Sequence, residues 1–175
     1  ILSGGDPLSS NNQQLTQLIE SLAEIPHISH LRIHSRLPVV LPSRVDKKML
    51  QWLDIWPGQK VMVIHANHAN ELNSEVAAAI QKLRQQDTVV LNQSVLLRGV
   101  NANARALIEL SEKLFEIGVL PYYLHQLDPV AGAAHFAVSD KLAKDLISEV
   151  SANLSGYLVP KLVRETAGDR AKQLI

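Results

Sequence analysis

Short apolar runs alternate along this chain with longer stretches in which apolar residues recur every three or four positions, and the pair repeats roughly every 30 residues, the spacing of βα units. The runs are Ile1-Leu2, Leu31-Arg32-Ile33, Val61-Met62-Val63-Ile64, Val89-Val90-Leu91 and Leu120-Pro121-Tyr122-Tyr123-Leu124. They predict buried parallel strands. Between them, Asn11 to Leu22 puts Leu15, Leu18, Ile19 and Leu22 on one helical face. Asp46 is the expected N-cap of a helix over Lys47 to Trp56, stopped by Pro57-Gly58, and Ser74 that of a helix over Glu75 to Gln86. Asn103 to Gly118 carries Leu107, Leu110, Leu114 and Ile117 in phase, with Gly118 placed to end it, and Ser139 caps Asp140 to Val150. Gly156 to Pro160 reads as extended, and a polar tail without periodicity follows.

Each apolar run ends in a burst of functional side chains. Ser3-Gly4-Gly5-Asp6, His34-Ser35-Arg36, His65-Ala66-Asn67-His68, Asn92-Gln93-Ser94 and His125-Gln126-Leu127-Asp128 follow the five runs in order. Chemistry at the carboxyl ends of successive parallel strands is the ground plan of a β/α barrel. A Rossmann sheet is the rival architecture, but no Gly-x-Gly-x-x-Gly follows a strand. The units do not repeat detectably in sequence, which disfavours a solenoid.

Composition narrows the class further. The chain has 175 residues, 46% of them hydrophobic, enough for one sizeable core. Its 17 basic and 17 acidic residues cancel, so nothing electrostatic calls for nucleic acid or an anionic membrane. No apolar run approaches the roughly 20 residues that span a bilayer. The absence of cysteine rules out disulfides and suits the cytoplasm. A chain that opens inside a strand, on Ile1 and without Met, reads as cut from something longer, with its first barrel strand missing.

The bursts differ in what they can do. Gly4 and Gly5 let backbone approach a ligand with no Cβ in the way, or simply make a turn. Arg36 offers a guanidinium that matches a carboxylate in two parallel hydrogen bonds. His65 and His68 stand three residues apart, a metal-ligand spacing on a helix, but here they follow a strand, where loop hydrogen bonding is the better reading. The ten residues Asn92 to Asn101 mix amide, hydroxyl and guanidinium groups too densely for a solvated loop. Asp128 offers a carboxylate to an ammonium, or a helix cap. Lys172 lies seven residues after Glu165, and a lysine amine condenses with aldehydes when its surroundings favour it. The residues alone lead to a β/α enzyme whose ligand carries carboxylate and amine groups.

Taken in order, Ser3-Gly4-Gly5-Asp6-Pro7-Leu8, Arg32 to Val40, Asn67-His68-Ala69-Asn70-Glu71, Asn92 to Asn101 and Pro121-Tyr122-Tyr123-Leu124 resemble the lysine 2,3-aminomutase family of radical S-adenosylmethionine enzymes, from residue 1 to about 165. Asn92 to Asn101 is the most specific block. Ile33 to Arg36, His125 with Asp128, Gly132 to Phe136 and Ser155 to Glu165 resemble the branch that makes β-lysine for modification of elongation factor P. The resemblance implies a partial (β/α) barrel of the radical S-adenosylmethionine type lacking its first strand. Its barrel core would span 1-155, and an extended segment and tail, 156-175, would carry a pyridoxal phosphate lysine.

The same resemblance implies S-adenosylmethionine, pyridoxal phosphate and a [4Fe-4S] cluster as cofactors and lysine as the small-molecule substrate. Gly4, Gly5 and Asp6 match the turn that meets the amino group of S-adenosylmethionine. Ser35, Arg36, His65 and Gln93 match positions lining that cofactor. Asp128 and Glu165 match the acids that hold the far amine of lysine, and Lys172 matches the Schiff-base lysine. The family's Cys-x-x-x-Cys-x-x-Cys motif precedes the Ser-Gly-Gly-Asp strand, so the cluster ligands lie outside this chain, which as it stands should not perform radical chemistry. The tail Ala167 to Ile175 also replaces a more glycine-rich loop. Three alternatives stay open: a catabolic lysine or glutamate 2,3-aminomutase, a metal-dependent barrel hydrolase using His65, His68, His125 and Asp128, and a non-catalytic ligand-binding fragment.

Overall fold

The computed structural model describes every residue except Ala167 and Arg170, so two positions of the tail loop singled out above lie outside the described residues. Six strands form one sheet in the order of the chain, β1-β2-β3-β4-β5-β6. Sequential order is that of a β/α barrel; in a doubly wound sheet the order reverses at a switch point. By its internal contacts the chain divides into two compact units, and β3 (Thr88–Val95) contributes residues to both.

The first unit comprises Ile1–His65, Leu72–Leu91 and Ile117–Val119. In it β1 (His30–His34) and β2 (Gln59–Ile64) pair in parallel, with His34 opposite Val63. Leu2 adds one bridge on the outer side of β1, its N–H bonding the Arg32 carbonyl at 2.8 Å and its carbonyl taking the His34 N–H at 3.0 Å. Four helices follow: α1 (Asn12–Ala23), α2 (Leu37–Val40), α3 (Lys47–Asp54) and α4 (Ser74–Arg84). Asn11 and Gln14 close a capping box at the start of α1, and Asp46 caps α3 as expected. The cap of α4 is Asn73, not Ser74: the Asn73 Oδ1 accepts the Val76 N–H at 3.0 Å, and Ser74 is already helical. Both residue types cap well, so local sequence does not separate them. Ile19, Met49, Trp52, Met62, Ile80 and Leu83 fill the core, and the buried Trp52 indole donates to the Asn12 side chain at 3.1 Å.

The second unit comprises Ala66–Glu71, Asn92–Glu116 and Leu120–Ile175. It holds α5 (Ala104–Glu116), β4 (Leu120–His125), α6 (Asp140–Asn153), β5 (Lys161–Arg164) and β6 (Gln173–Leu174). Strand β4 runs parallel to β5, which pairs antiparallel with β6. Leu96, Leu107, Leu124, Ala143, Leu146, Val150 and Leu162 form one apolar cluster, which α5 and α6 close over. Two expectations fail here. Gly156–Leu158 is a 3-10 turn, not an extended segment, and Lys161 to Arg164, read as the start of an aperiodic tail, is a strand. A run of four residues carries too little alternation to announce itself, and its pairing with β4 decides the matter. Among the described residues no helix is long and apolar enough to cross a membrane.

Candidate functional site

A cleft of about 230 Å³ in the first unit is lined by Ser3, Gly4, Gly5, Asp6, His34, Ser35, Arg36 and His65. The local chain explains its shape. Gly4 and Gly5 lie at φ +91° and +58°, and a Cβ built on either would meet nothing within 4 Å, so the turn presents bare backbone to open space. Asp6 then ties this turn to the end of β1. One carboxylate oxygen accepts the Ser35 hydroxyl at 2.7 Å and the Leu8 N–H at 3.0 Å, and the other accepts the Arg36 N–H at 2.8 Å. Ser35, only 2% exposed, in turn accepts the Leu37 N–H through its hydroxyl. Three hydrogen bonds hold the carboxylate in a defined place.

The cleft thus brings together six of the residues expected to bind cofactor: Gly4, Gly5, Asp6, Ser35, Arg36 and His65. It also adds His34, the last residue of β1, whose ring centroid lies 6.3 Å from that of His65. Strand alternation already puts His34 on the face opposite Ile33, which was the available signal. The Asp6 carboxylate can meet an ammonium and the Arg36 guanidinium a carboxylate, so the cleft pairs groups that suit a zwitterion.

The block Asn92 to Asn101 begins inside a strand, not immediately after one as the sequence suggested. Asn92, Gln93 and Ser94 lie inside β3 and are buried, not beyond its end. The Asn92 side chain accepts the Ala66 N–H at 2.8 Å and donates to the Ala66 carbonyl at 3.0 Å and to Ser94 Oγ at 2.9 Å. Asn67 Oδ1 accepts the Val95 N–H, and the fully buried Asn101 donates to the Asn67 and Val95 carbonyls while accepting the Leu97 N–H. These amides satisfy the backbone where loops leave the sheet. Their density is therefore architectural. In the same segment Glu71 accepts the N–H groups of Asn67 and His68, and His68 Nδ1 accepts the Asn70 N–H. Among the described residues no group of three or more His, Cys, Asp or Glu is arranged to hold a metal ion.

Further along the second unit, Lys172 Nζ donates to the Glu165 carboxylate and lies 5.8 Å from the centroid of the Tyr123 ring. Asp128 stands exposed in the loop after β4. Asp140, the first residue of α6, accepts from Arg164 at the end of β5 and from Gln126 just beyond β4, the latter at 3.2 Å. The Arg164 hydrogen bond holds the Asp140 carboxyl below the ordinary carboxylate range, and the Asp140 bond raises the already high Arg164 value.

No family model matches the chain. Proteins named L-lysine 2,3-aminomutase do. The chain is 50% identical over 172 residues to the one from Escherichia coli (strain K12), covering 98% of this chain and 50% of that protein. It is 51% identical to that of Haemophilus influenzae, covering 99% and 52%, and 38% identical to that of Clostridium subterminale, covering 98% and 41%. The chain spans about half the length of these relatives. Among solved structures, a domain of pyruvate-formate lyase-activating enzyme from Bacteroides vulgatus superposes with a TM-score of 0.62 at 15% identity, covering 94% of this chain and 97% of that one. A radical SAM methyltransferase from Sphaerobacter thermophilus gives 0.56, also at 15%, covering 78% and 40%. These likenesses show the fold alone, a mixed α/β fold shared with radical SAM domains.

Proposed function

The chain is a homologue of the lysine 2,3-aminomutases over nearly all of its length, and from that premise we propose that the protein to which it corresponds is an isomerase that moves the amino group of L-lysine from the α- to the β-carbon. The observation that carries the reading is the cleft at Gly4, Gly5, Asp6, Ser35 and Arg36, whose groups suit a zwitterionic amino-acid end. We assign the amino-acid moiety of S-adenosylmethionine to it, with His65 on its wall and Gln93 as a further cofactor residue. Lys172 is the amine we assign to the aldehyde of pyridoxal phosphate. Asp128 and Glu165 are the carboxylates for the far ammonium of lysine. The product in this reading serves the modification of elongation factor P, in the cytoplasm.

When bound, S-adenosylmethionine supplies hydrogen-atom abstraction, and the pyridoxal ring delocalises the unpaired electron during migration. The 175 residues contain no cysteine and so offer no thiolate to an iron–sulfur cluster. What these residues themselves do is bind and orient. Asp6, held from three directions, receives an ammonium at a fixed point, and Arg36 receives the carboxylate.

Titration calorimetry with S-adenosylmethionine tests the reading. One-site binding that Arg36→Ala weakens is expected, and no binding to the chain would sink the assignment of the cleft. For the aldehyde, borohydride reduction after adding pyridoxal phosphate should leave a pyridoxyl group on Lys172. Labelling spread over other lysines would overturn that assignment.

A further inference from the structure

The segments that carry Asp6 and Arg36 are joined at two places, and only the first of them lines the cleft. There the Asp6 carboxylate accepts from the Ser35 hydroxyl and the Arg36 N–H. The second lies at Arg44, the last residue of a 3-10 turn over Pro42–Arg44. Its Nε donates to the Leu8 carbonyl at 2.8 Å and its Nη2 to the Ser10 carbonyl at 3.1 Å. Each segment is stiff between its two attachments. Asp6 accepts the Leu8 N–H on its side chain and the Ser9 N–H on its carbonyl, both at 3.0 Å, and the Pro7 carbonyl takes the Ser10 N–H at 3.2 Å. On the other side the Arg36 carbonyl accepts the Val39 and Val40 N–H groups, the Leu37 carbonyl accepts that of Leu41, and the Leu41 carbonyl accepts that of Arg44. Two stiff segments pinned at one point can turn about it. Pinned at two, they hold one geometry.

The second attachment contributes little to folding by itself. The remaining guanidinium nitrogen, Nη1, is buried without a hydrogen-bond partner among the described residues, and its desolvation offsets much of what the two bonds supply. What the guanidinium offers is its planar fork, which reaches two carbonyls at once, where an ammonium is a single point. We propose that Arg44 is a positioning residue of the cleft: by holding Leu8 and Ser10 it sets the separation of the Asp6 carboxylate from the Arg36 guanidinium, and with it the preference for a ligand that carries both an ammonium and a carboxylate. The inference rests on the proposed role of the cleft and adds to it a residue outside the cleft lining. A ligand held at both charges gains from a fixed separation, because no ordering remains to be done when it binds. One that offers a single charge gains nothing from it, so the clasp acts on selectivity.

The test compares S-adenosylmethionine with its decarboxylated analogue, which keeps the ammonium and the sulfonium, by titration calorimetry of the unaltered chain and of Arg44→Ala. The unaltered chain should prefer S-adenosylmethionine by about tenfold or more, the worth of one charge-assisted pair. Arg44→Ala should weaken S-adenosylmethionine about tenfold and leave the analogue nearly unchanged, so that the preference narrows to about twofold or less. Arg44→Lys keeps the charge but presents one nitrogen in place of the fork. It should narrow the preference as well, and it carries the test if the alanine variant does not fold. An arginine that serves the fold alone gives a different result, with both ligands weakened by the same factor and the preference intact. That result, or unchanged affinities, would overturn the proposal. No binding of S-adenosylmethionine to the unaltered chain would instead remove the proposed role of the cleft, so the two failures are distinguishable.

Discussion

Asn92 holds Ala66 by both of its backbone groups, accepting the N–H at 2.8 Å and donating to the carbonyl at 3.0 Å. Both residues are buried, at 1% and 0% exposure, so water cannot replace either bond. Side-chain amides that imitate a strand in this way extend the order of a sheet into the loops beside it.

Replacing Asn92 by Ala should therefore cost about 1 to 3 kcal/mol, since it strands the Ala66 N–H, leaves the Ala66 carbonyl to the Ser94 hydroxyl alone and removes a donor to Ser94. Urea unfolding should show a lower midpoint with an unchanged slope. A loss below about 0.5 kcal/mol would mean that the pairing is not what secures the loop.

Asp6 should separate geometry from charge. Asp6→Asn keeps one acceptor oxygen but cannot satisfy Ser35, Leu8 and Arg36 together. It should lower stability by about 1 to 2 kcal/mol and abolish S-adenosylmethionine binding in calorimetry. Retained binding would show that the carboxylate serves the turn alone.

Gly5→Ala isolates the backbone. At φ +58° with nothing within 4 Å of the added methyl, the substitution meets conformational cost only, about 1 kcal/mol. The thermal midpoint should fall by a few degrees. Affinity for the cofactor should fall further than stability does, because the methyl group enters the cleft that the bare turn leaves open.

Acid should release the junction at Asp140. Hydrogen bonding from Arg164 depresses the Asp140 carboxyl in the folded chain, so the unfolded state binds the proton more readily. The stabilisation is thus complete above the unfolded value, near 3.9, and is lost as pH falls through the lower folded value. Thermal midpoints measured from pH 7 down to pH 2 should separate the chain from Asp140→Asn at neutral pH and converge in acid. High salt should narrow the gap, because both side chains are partly exposed.

Much of this was legible in the order of residues. Four of the five apolar runs became strands β1 to β4 in chain order, the first making only a single bridge at Leu2, and Asp46 and Ser139 marked helix starts through side chains that reach only three residues ahead. The turn at Gly4, Gly5 and Asp6 was visible for the same reason, because left-handed backbone is a property of the residues that adopt it. Tertiary structure alone decided the rest. Whether Asn92 and Ser94 act on a ligand or on the chain depends on Ala66, 26 and 28 residues away, which no local window contains. The strand Lys161–Arg164 exists because β4 offers its edge, and Lys172 meets Glu165 and Tyr123 because that pairing brings β4 and β5 side by side. Periodicity is written in neighbours along the chain, whereas hydrogen-bond partners and charge pairs are chosen by proximity in space, which folding supplies.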